Sequence, residues 1–371
     1  MKVLHVFNEI KYSGAEIMYA DAAPLFQENG VEMIALSTGQ RIGEFLDQFE
    51  SANIKVYHRP LINGLRNPIK LFIYFKGIFD FVKIEEMDVI HIHRDSYYWF
   101  FSLVGFLNGI RTIRTVHNVF KNRKITWVKA VLERFIARKI FGLIFQTIGD
   151  SVYLNERNYY KNPSIKINNW YNTDKFFPAT TEREKNQLRA KLNISTDALV
   201  VISTGGCSHV KNHHDIIKAV QEVNKITNCI FLHLGTGVTE NEEVSLTEEL
   251  GISNKIRFLG NQTNVREYLI AADIYIMSSR FEGLSIASIE AMACGLPSVL
   301  YNVPGLRDLI TDDDNGALIK PDYQVLSEKI LFFYNSPYIR NQRGENARKF
   351  VGENFNMNKS VKSIIDLYNR R

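Results

Sequence analysis

The sequence has few cysteines, no long apolar run and no strong excess of either charge, and each shortage excludes a class of protein. Only three of its 371 residues are cysteines, and none forms a C-x-x-C pair, so neither a disulfide framework nor a zinc ribbon is expected. No stretch of about 18 apolar residues occurs, so no membrane-spanning helix is expected. The first apolar run ends at Glu9, too early for a secretory signal. We therefore expect a cytoplasmic protein in a reducing compartment.

Length and charge add two positive indications. A single core rarely exceeds about 250–300 residues, so two domains are expected. Hydrophobic residues make up 45% and charged residues 23%, an ordinary globular balance. The net charge is +5, and residues 1–172 hold 22 basic against 16 acidic side chains. This basic excess, dense over 111–139, favours a phosphate-bearing partner such as an anionic membrane surface.

Strand-like and helix-like segments alternate along the chain, and the alternation starts again in the second half. Apolar strands separated by amphipathic helices predict parallel, doubly wound sheets. We therefore predict an α/β fold of two tandem Rossmann-like domains, 1–172 and 173–371, facing a central cleft, with segment 168–184 as the linker. The last helix is a candidate to pack back on the first domain. The predicted strands are 2–7, 31–38, 54–59, 89–93, 111–117 and 142–149, then 199–206, 229–237, 255–260, 273–279 and 297–301.

The densest motif is FEGLSIASIEAMACGLP at 281–297. A strand ends at Ser279, and a helix is predicted from about Leu284 to Cys294, so free N–H groups at its start predict a phosphate site. Glu282 and Glu290 would lie about 12 Å apart along that helix. The helix is otherwise apolar, so Glu290 is expected to have a binding role rather than merely a solvated one.

This motif resembles the signature E-G-x6-E-A-x-A-x-G-x-P of the retaining GT-B glycosyltransferases of family 4, also called glycosyltransferases group 1. The resemblance runs from VFNEIKYSGAE to NVPGLRDLI. It implies transfer of a sugar from a nucleoside-diphosphate sugar to a carbohydrate or lipid-linked hydroxyl acceptor, in surface polysaccharide or glycolipid biosynthesis. It also implies that Glu282 contacts the donor sugar and Glu290 the ribose. No D-x-D metal motif is apparent in a suitable loop, so no metal or other cofactor is expected, and nucleic acid is not an expected partner.

Three further segments match the family. In GGCSHVKNHH, Lys211 stands where the family places a lysine on the donor diphosphate, but Gly206 and Cys207 stand near the position of the family's arginine. In TVHN, His117 matches a histidine beside the reacting sugar. Between the first strand and helix, Gly14 would line the site, although Ser13 and Glu16 also form a capping-box pattern.

The N–H groups of Gly283, Leu284 and Ser285, with Lys211, would stabilise the departing diphosphate. His91 and His93 alternate on one strand and are interpreted as cleft-wall or packing residues rather than metal ligands.

Alternative functions remain open. A nucleotide-sugar epimerase can share this fold, and a catalytically silent scaffold in a polysaccharide assembly would fit the missing arginine. A dinucleotide-dependent oxidoreductase is disfavoured because G-x-G-x-x-G does not follow the first strand.

Segment 126–145 has the pattern of an amphipathic helix. It either packs on the sheet or, with Lys121, Arg123 and Lys124 just before or at its start, docks the protein at the inner face of a membrane.

Overall fold

The computed structural model describes residues 1–61, 67–119, 124–311 and 314–370. The chain divides into two compact units, Met1–Asn169 with Met357–Arg371, and Trp170–Asn356. Each unit is built on a parallel sheet, in agreement with the predicted fold class. The division at 169/170 lies three residues before the predicted boundary, and the terminal segment belongs to the first unit rather than to 173–371.

The first unit contains a seven-stranded sheet in the order β3-β2-β1-β4-β5-β6-β7. Its strands are β1 Lys2–Phe7, β2 Glu32–Ser37, β3 Lys55–His58, β4 Val89–Ile92, β5 Arg111–Val116, β6 Ile144–Thr147 and β7 Ile165–Lys166. The helices between them are α1 Gly14–Glu28, α2 Leu46–Ser51, α3 Pro68–Ile84, α4 Tyr98–Asn108, α5 Lys124–Lys139 and α6 Asp150–Leu154. β1 and β4 consist almost entirely of buried residues, as expected for strands covered on both faces.

The second unit contains a six-stranded sheet in the order β10-β9-β8-β11-β12-β13. Its strands are β8 Leu199–Thr204, β9 Cys229–Leu234, β10 Ile256–Phe258, β11 Ile274–Met277, β12 Ser298–Tyr301 and β13 Gly316–Ile319. Its helices are α7 Glu182–Lys191, α8 His213–Asn224, α9 Glu240–Glu249, α10 Val265–Ala271, α11 Ile286–Ala293, α12 Tyr323–Asn335 and α13 Pro337–Asn354. The chain runs outward from β8 through β9 and then returns to β11 on the other side. This reversal creates a switch point, where ligands bind in such sheets.

The last helix, α14 at Met357–Asn369, packs in the first unit. Tyr368 near its end is buried, and its hydroxyl lies 2.6 Å from His91 Nδ1. Arg111 Nη1 donates to the carbonyl oxygen of Tyr368. The terminal helix is therefore held by specific polar contacts as well as by its apolar face.

Two features differ from the expectations drawn from the sequence. The two-residue β7 and the strand β13 were not predicted, because both are short and lack a long apolar run. The predicted linker 168–184 is not a free connection. Trp170 is only 1% exposed, and Arg266 of α10 donates to the carbonyl oxygens of Phe177 and Pro178, each at 2.9 Å. The guanidinium carbon of Arg266 also lies 3.7 Å from the centre of the Phe177 ring, so this part of the segment is held to α10.

Among the described residues, none of the helices combines the length and apolar character needed to cross a bilayer.

Candidate active site

Lys211 and Glu282 meet at the switch point of the second sheet. Lys211 follows β8, Glu282 follows β11, and these two strands pair directly, with Ile274 opposite Val201. The Lys211 Nζ atom lies 2.7 Å from Glu282 Oε1, and both side chains are partly buried. Two residues that lie 71 positions apart in the chain thus form a charge-assisted hydrogen bond at the carboxyl edge of the sheet.

Backbone contacts hold the loops that carry this pair. Ser278 Oγ donates to the carbonyl oxygens of Lys211 and Asn212, at 3.0 and 2.9 Å. Arg280 N donates to the carbonyl oxygen of Val210 at 2.8 Å. Ser279 Oγ donates to Glu282 Oε1 at 2.7 Å. The Lys211–Glu282 ion pair is therefore held by hydrogen bonds between the segments that follow β8 and β11, and it is not a loose contact between two surface side chains.

Gly305 is required by close packing beneath Glu282. It lies in NVPGLRDLI, has a φ of +81°, and a Cβ there would lie 2.5 Å from the carbonyl oxygen of Glu282. Glu282 N in turn donates to the carbonyl oxygen of Pro304 at 3.1 Å. The 302–310 segment therefore supports the turn that carries Glu282.

The start of α11 offers an anion-binding geometry close to this pair. Gly283, Leu284 and Ser285 are buried. Ser285 is the N-cap, and its Oγ accepts from Ser288 N at 3.3 Å. Within the part of the chain that the structure describes, no acceptor is recorded for the N–H groups of Gly283 and Leu284. Free N–H groups at the positive end of a helix dipole favour a phosphate.

Glu290 lies further along α11 and is partly buried. The helix begins at Ile286, two residues later than predicted, so only four residue steps of helix precede Glu290. These steps advance it by about 6 Å along the axis. The predicted separation of about 12 Å from Glu282 assumed a helix over all eight steps, whereas only the last four are helical, and the distance between the two carboxylates stays a prediction.

In the described loop after β8, no arginine stands where the resembled family has one. Gly206, at the expected place, is exposed, and His209 is exposed as well. Gly205 has a φ of +150°, and a Cβ on it would lie 3.3 Å from Lys211 Cε. The loop backbone therefore approaches the lysine side chain closely, and Lys211 supplies the cationic group.

Gly14 and His117 lie in the first unit, at the carboxyl edge of its sheet. Gly14 is the first residue of α1 and is exposed, with Ser13 at the N-cap position. The expected capping box does not form: the Ser13 hydroxyl donates to the Glu16 carboxylate rather than accepting a backbone N–H. Burial raises the pKa of Glu16.

His117 ends a chain of hydrogen-bonded imidazoles that the sequence did not reveal. His5 Nδ1 lies 3.0 Å from His93 Nε2, and His93 Nδ1 lies 3.3 Å from His117 Nε2. His117 is partly exposed, yet burial lowers its pKa to about 4. It is therefore neutral near pH 7, with Nδ1 as its remaining polar atom.

His91 belongs to a separate part of this network. Its two nitrogens contact the hydroxyl oxygens of Tyr368 and Thr115, at 2.6 and 2.7 Å. Both nitrogens of His91 are thus engaged in hydrogen bonds, and the interpretation of His91 and His93 as packing residues rather than metal ligands stays a prediction.

Sequence reasoning also missed Arg94, which follows β4 at the same edge. Its guanidinium is buried and donates to Thr38 Oγ1 and, at 3.1 Å, to Ser96 Oγ. Burial lowers its pKa. The sequence feature that could have identified Arg94 is its position directly after the VIHIH strand, at the edge of the sheet where ligands bind.

Helix α5 shows an unexpected division of its faces. Its buried face carries Ala130, Arg134 and Ala137, whereas Val128, Leu132 and Phe135 are 59%, 55% and 52% exposed. Arg134 pairs with the buried Glu156, with Nη2 2.8 Å from Oε1. The expected apolar packing on the sheet is thus wrong for these three side chains, and Arg134 is not a surface charge. Lys121 and Arg123, and the side chain of Lys124, lie outside the described residues.

Comparisons with known proteins find relatives among the glycosyltransferases. Residues 184–350 match the family model described as Glycosyl transferases group 1. The chain is 26% identical over 303 residues to the UDP-Gal:alpha-D-GlcNAc-diphosphoundecaprenol alpha-1,3-galactosyltransferase of Escherichia coli, covering 79% of this chain and 78% of that protein. It is 27% identical over 188 residues to the N-acetyl-alpha-D-glucosaminyl L-malate synthase of Bacillus anthracis, covering 50% of this chain and 49% of that protein. The match to the putative glycosyltransferase EpsD of Bacillus subtilis covers 52% of that protein. The chain therefore spans only about half the length of EpsD and of the Bacillus anthracis synthase.

Solved structures resemble the whole chain. A glycosyltransferase from Rickettsia africae superposes with a TM-score of 0.85 at 20% identity, covering 99% of this chain and 97% of that one. Alr3699/HepE of Anabaena, in complex with UDP and glucose, superposes with a TM-score of 0.83 at 19% identity, covering 99% of both chains. At such identities the likeness shows the fold, which is the GT-B fold of two Rossmann-like units.

Proposed function

We propose that this chain, whose residues 184–350 belong to the glycosyl transferases group 1 family, transfers a sugar from a nucleoside-diphosphate sugar to a hydroxyl acceptor. The observation that carries the proposal is the Lys211–Glu282 pair beside the start of α11, at the switch point of the second sheet. A cation, free N–H groups and a carboxylate together suit a sugar joined to a diphosphate.

In the proposed reaction the bond from the anomeric carbon to the diphosphate oxygen breaks, and a bond from that carbon to the acceptor oxygen forms. The acceptor proton passes to the departing phosphate oxygen on the same face, so the anomeric configuration is retained. Lys211 and the N–H groups of Gly283, Leu284 and Ser285 stabilise the charge that grows on the diphosphate. The donor phosphate competes with Glu282 for the Lys211 ammonium. Once released, the carboxylate accepts from sugar hydroxyls.

Three other residues have supporting roles in this proposal. Glu290 accepts from the ribose hydroxyls, and His117, neutral at pH 7, lies beside the reacting sugar. Gly14 lets the first unit approach the donor or acceptor closely. The transfer needs no divalent metal at the diphosphate, because Lys211 and the helix start supply the positive potential.

We place the reaction in glycolipid or polysaccharide biosynthesis. The support is that the Escherichia coli relative is named for a diphosphoundecaprenol-linked acceptor. A lipid-linked acceptor lies at a membrane surface, and α5 presents Val128, Leu132 and Phe135 outward with Lys129 and Lys139 beside them. We propose that this face holds the protein peripherally at an anionic cytoplasmic membrane surface.

The test begins with calorimetry against UDP-, GDP- and ADP-sugars, followed by linkage analysis and NMR of the product. We expect one sugar nucleotide to bind, and its anomeric configuration to persist in the product. Turnover should continue in EDTA added at the start of the assay. Absence of transfer with every donor that binds would favour the scaffold alternative, whereas an inverted product, or activity restored only by Mn²⁺, would contradict the mechanism.

A further inference from the structure

Four side chains of metal-ligating type converge beside the loop that carries Lys211. They come from four segments of the second unit, and we call them the buried cluster: Cys207, His213, His233 and Glu243. Cys207 follows β8, and His213 is the first residue of α8. His233 lies near the end of β9, and Glu243 lies in the first turn of α9. No motif spacing reveals this cluster, because the fold alone brings the four segments together.

The cluster is tightly gathered and excluded from solvent. Each residue offers one ligand atom, and the four atoms lie within 4.8 Å of one another. Cys207 is 2% exposed and the other three are 0% exposed. The rings of His213 and His233 have centroids 4.3 Å apart, and His233 Nε2 lies 4.0 Å from Cys207 Sγ. Zn²⁺ ligands at about 2.0–2.3 Å in a tetrahedron lie roughly 3.5 Å apart, so small side-chain movements would close this site.

The hydrogen bonds of the cluster are incomplete. Glu243 Oε1 accepts from Thr239 Oγ1 at 2.8 Å and lies 3.3 Å from His213 Nδ1. Glu243 Oε2, His213 Nε2 and His233 Nδ1 have no hydrogen-bond partner among the described residues. Buried polar atoms without partners are costly and rare in folded proteins. Three such atoms in one group of ligating side chains therefore indicate a missing ligand.

We propose that the buried cluster binds one Zn²⁺ ion as a structural site. One thiolate, two imidazoles and one carboxylate form a mixed sulfur, nitrogen and oxygen set that suits tetrahedral Zn²⁺. Two anionic ligands neutralise the divalent charge, so the buried site carries no net charge. Thr239 donates to Glu243 Oε1 and so orients the carboxylate within the cluster.

The consequence concerns the loop between Cys207 and His213. Both ends of this loop are ligands, and Lys211 lies within it. A bound ion would join the loop to β9 and α9, and so hold Lys211 in position for the donor. The ion touches neither the donor nor the reacting atoms, and is therefore independent of a metal-free transfer mechanism.

The first experiment measures metal in the full-length protein, purified without added metal and freed of any affinity tag. We expect about one zinc per chain by elemental mass spectrometry, and the same mass increase by native mass spectrometry. After metal removal, Co²⁺ should give a thiolate-to-cobalt charge-transfer band and the intense visible bands of a tetrahedral site.

Matched variants locate the site. Cys207→Ser should abolish the charge-transfer band, and Thr239→Val should lower Zn²⁺ affinity by about 10- to 100-fold. The control Cys229→Ser removes another buried cysteine, at the opposite end of β9, and should retain one ion per chain. Wild-type protein without zinc that binds neither Zn²⁺ nor Co²⁺ would overturn the proposal. So would a charge-transfer band that survives in Cys207→Ser and is lost in Cys229→Ser. These readouts do not depend on sugar transfer, so a wrong assignment of activity would not affect them.

Discussion

At the scale of single residues, the candidate site depends on one lysine whose partner changes with the ligand. Lys211 is the cation that the loop after β8 supplies where the family has an additional arginine. Without donor it is neutralised by Glu282, which Ser279 also holds. In the proposed reaction, donor binding would exchange one charge-assisted hydrogen bond for another, and the affinity would reflect the difference.

We expect Lys211→Ala and Glu290→Ala each to weaken donor binding, by about 10- to 100-fold for the loss of a charge-assisted hydrogen bond. Glu282→Ala should reduce turnover more than affinity, because its removal leaves the lysine free for the phosphate. Calorimetry and steady-state kinetics with the true donor measure these effects. Lys225→Ala, an exposed lysine paired with Glu222, is the control. Unchanged affinity in both of the first two variants would contradict the site assignment.

A second residue-scale prediction concerns the glycine beneath Glu282. Gly305→Ala should destabilise the second unit and reduce turnover, since the new Cβ would meet the carbonyl oxygen of Glu282 at 2.5 Å. Gly251→Ala is the matched control, because Gly251 also has a positive φ, of +68°, but has nothing within 4 Å of an added Cβ. The control should cost about 1 kcal/mol of unfolding free energy, and Gly305→Ala distinctly more. Urea denaturation measures both, and equal losses would show that packing beneath Glu282 is not tight.

At the scale of elements, α5 departs from the usual amphipathic helix, because its larger apolar side chains are exposed and a charged side chain is buried. Its buried face contains two alanines and the Arg134–Glu156 ion pair, and Arg134 also lies over the Tyr160 ring at 3.7 Å. The larger apolar side chains recur at three- and four-residue spacing on the opposite face. An exposed apolar stripe flanked by lysines is typical of a helix that lies at a membrane interface.

We expect the triple change Val128→Ser, Leu132→Ser and Phe135→Ser to reduce binding to anionic vesicles by about 10-fold or more, because it removes apolar surface that would enter the interface. Ile226→Ser in the second unit is the control, since Ile226 is 67% exposed. Co-sedimentation measures the effect.

The electrostatic contribution to membrane binding can be tested separately, by its dependence on salt and on basic side chains. Binding should also fall with added salt and with Lys121, Arg123 and Lys124 changed to Ser. If the wild-type protein does not bind anionic vesicles at low salt, the basic segment instead binds a soluble phosphorylated acceptor.

At the scale of the whole molecule, buried histidines link stability to pH. Burial lowers the pKa of His5 to about 3 and that of His117 and His233 to about 4, and it places the pKa of His91 and His93 well below the ordinary value. In the unfolded chain each takes up a proton near its usual pKa of about 6.5. Below that pH the unfolded state binds more protons than the native state, so acid destabilises the fold.

The unfolding free energy should therefore fall between about pH 7.5 and about pH 5.5, by about 1 kcal/mol for each such histidine. Urea denaturation across this range measures the slope, and His5→Phe should make it shallower. Val3→Ala, a buried change in the same strand without a titrating group, should lower stability equally at both ends of the range. An unchanged slope in His5→Phe would show that His5 takes up its proton over the same pH range in the native and the unfolded state.

The sequence by itself determined the two parallel sheets and the chemistry at the ends of β8 and β11. Buried parallel strands are local apolar runs, and the E-G-x6-E motif and Lys211 lie within short segments, so both can be recognised without the fold. Only the tertiary structure decided which distant residues meet. Sheet order and the rotation of each helix about its axis decide four of these features. They are the Lys211–Glu282 pair, the His5–His93–His117 chain, the buried cluster and the burial of Arg134. The physical reason is that strand pairing and the face a helix buries depend on packing summed over the whole unit, which no local spacing specifies.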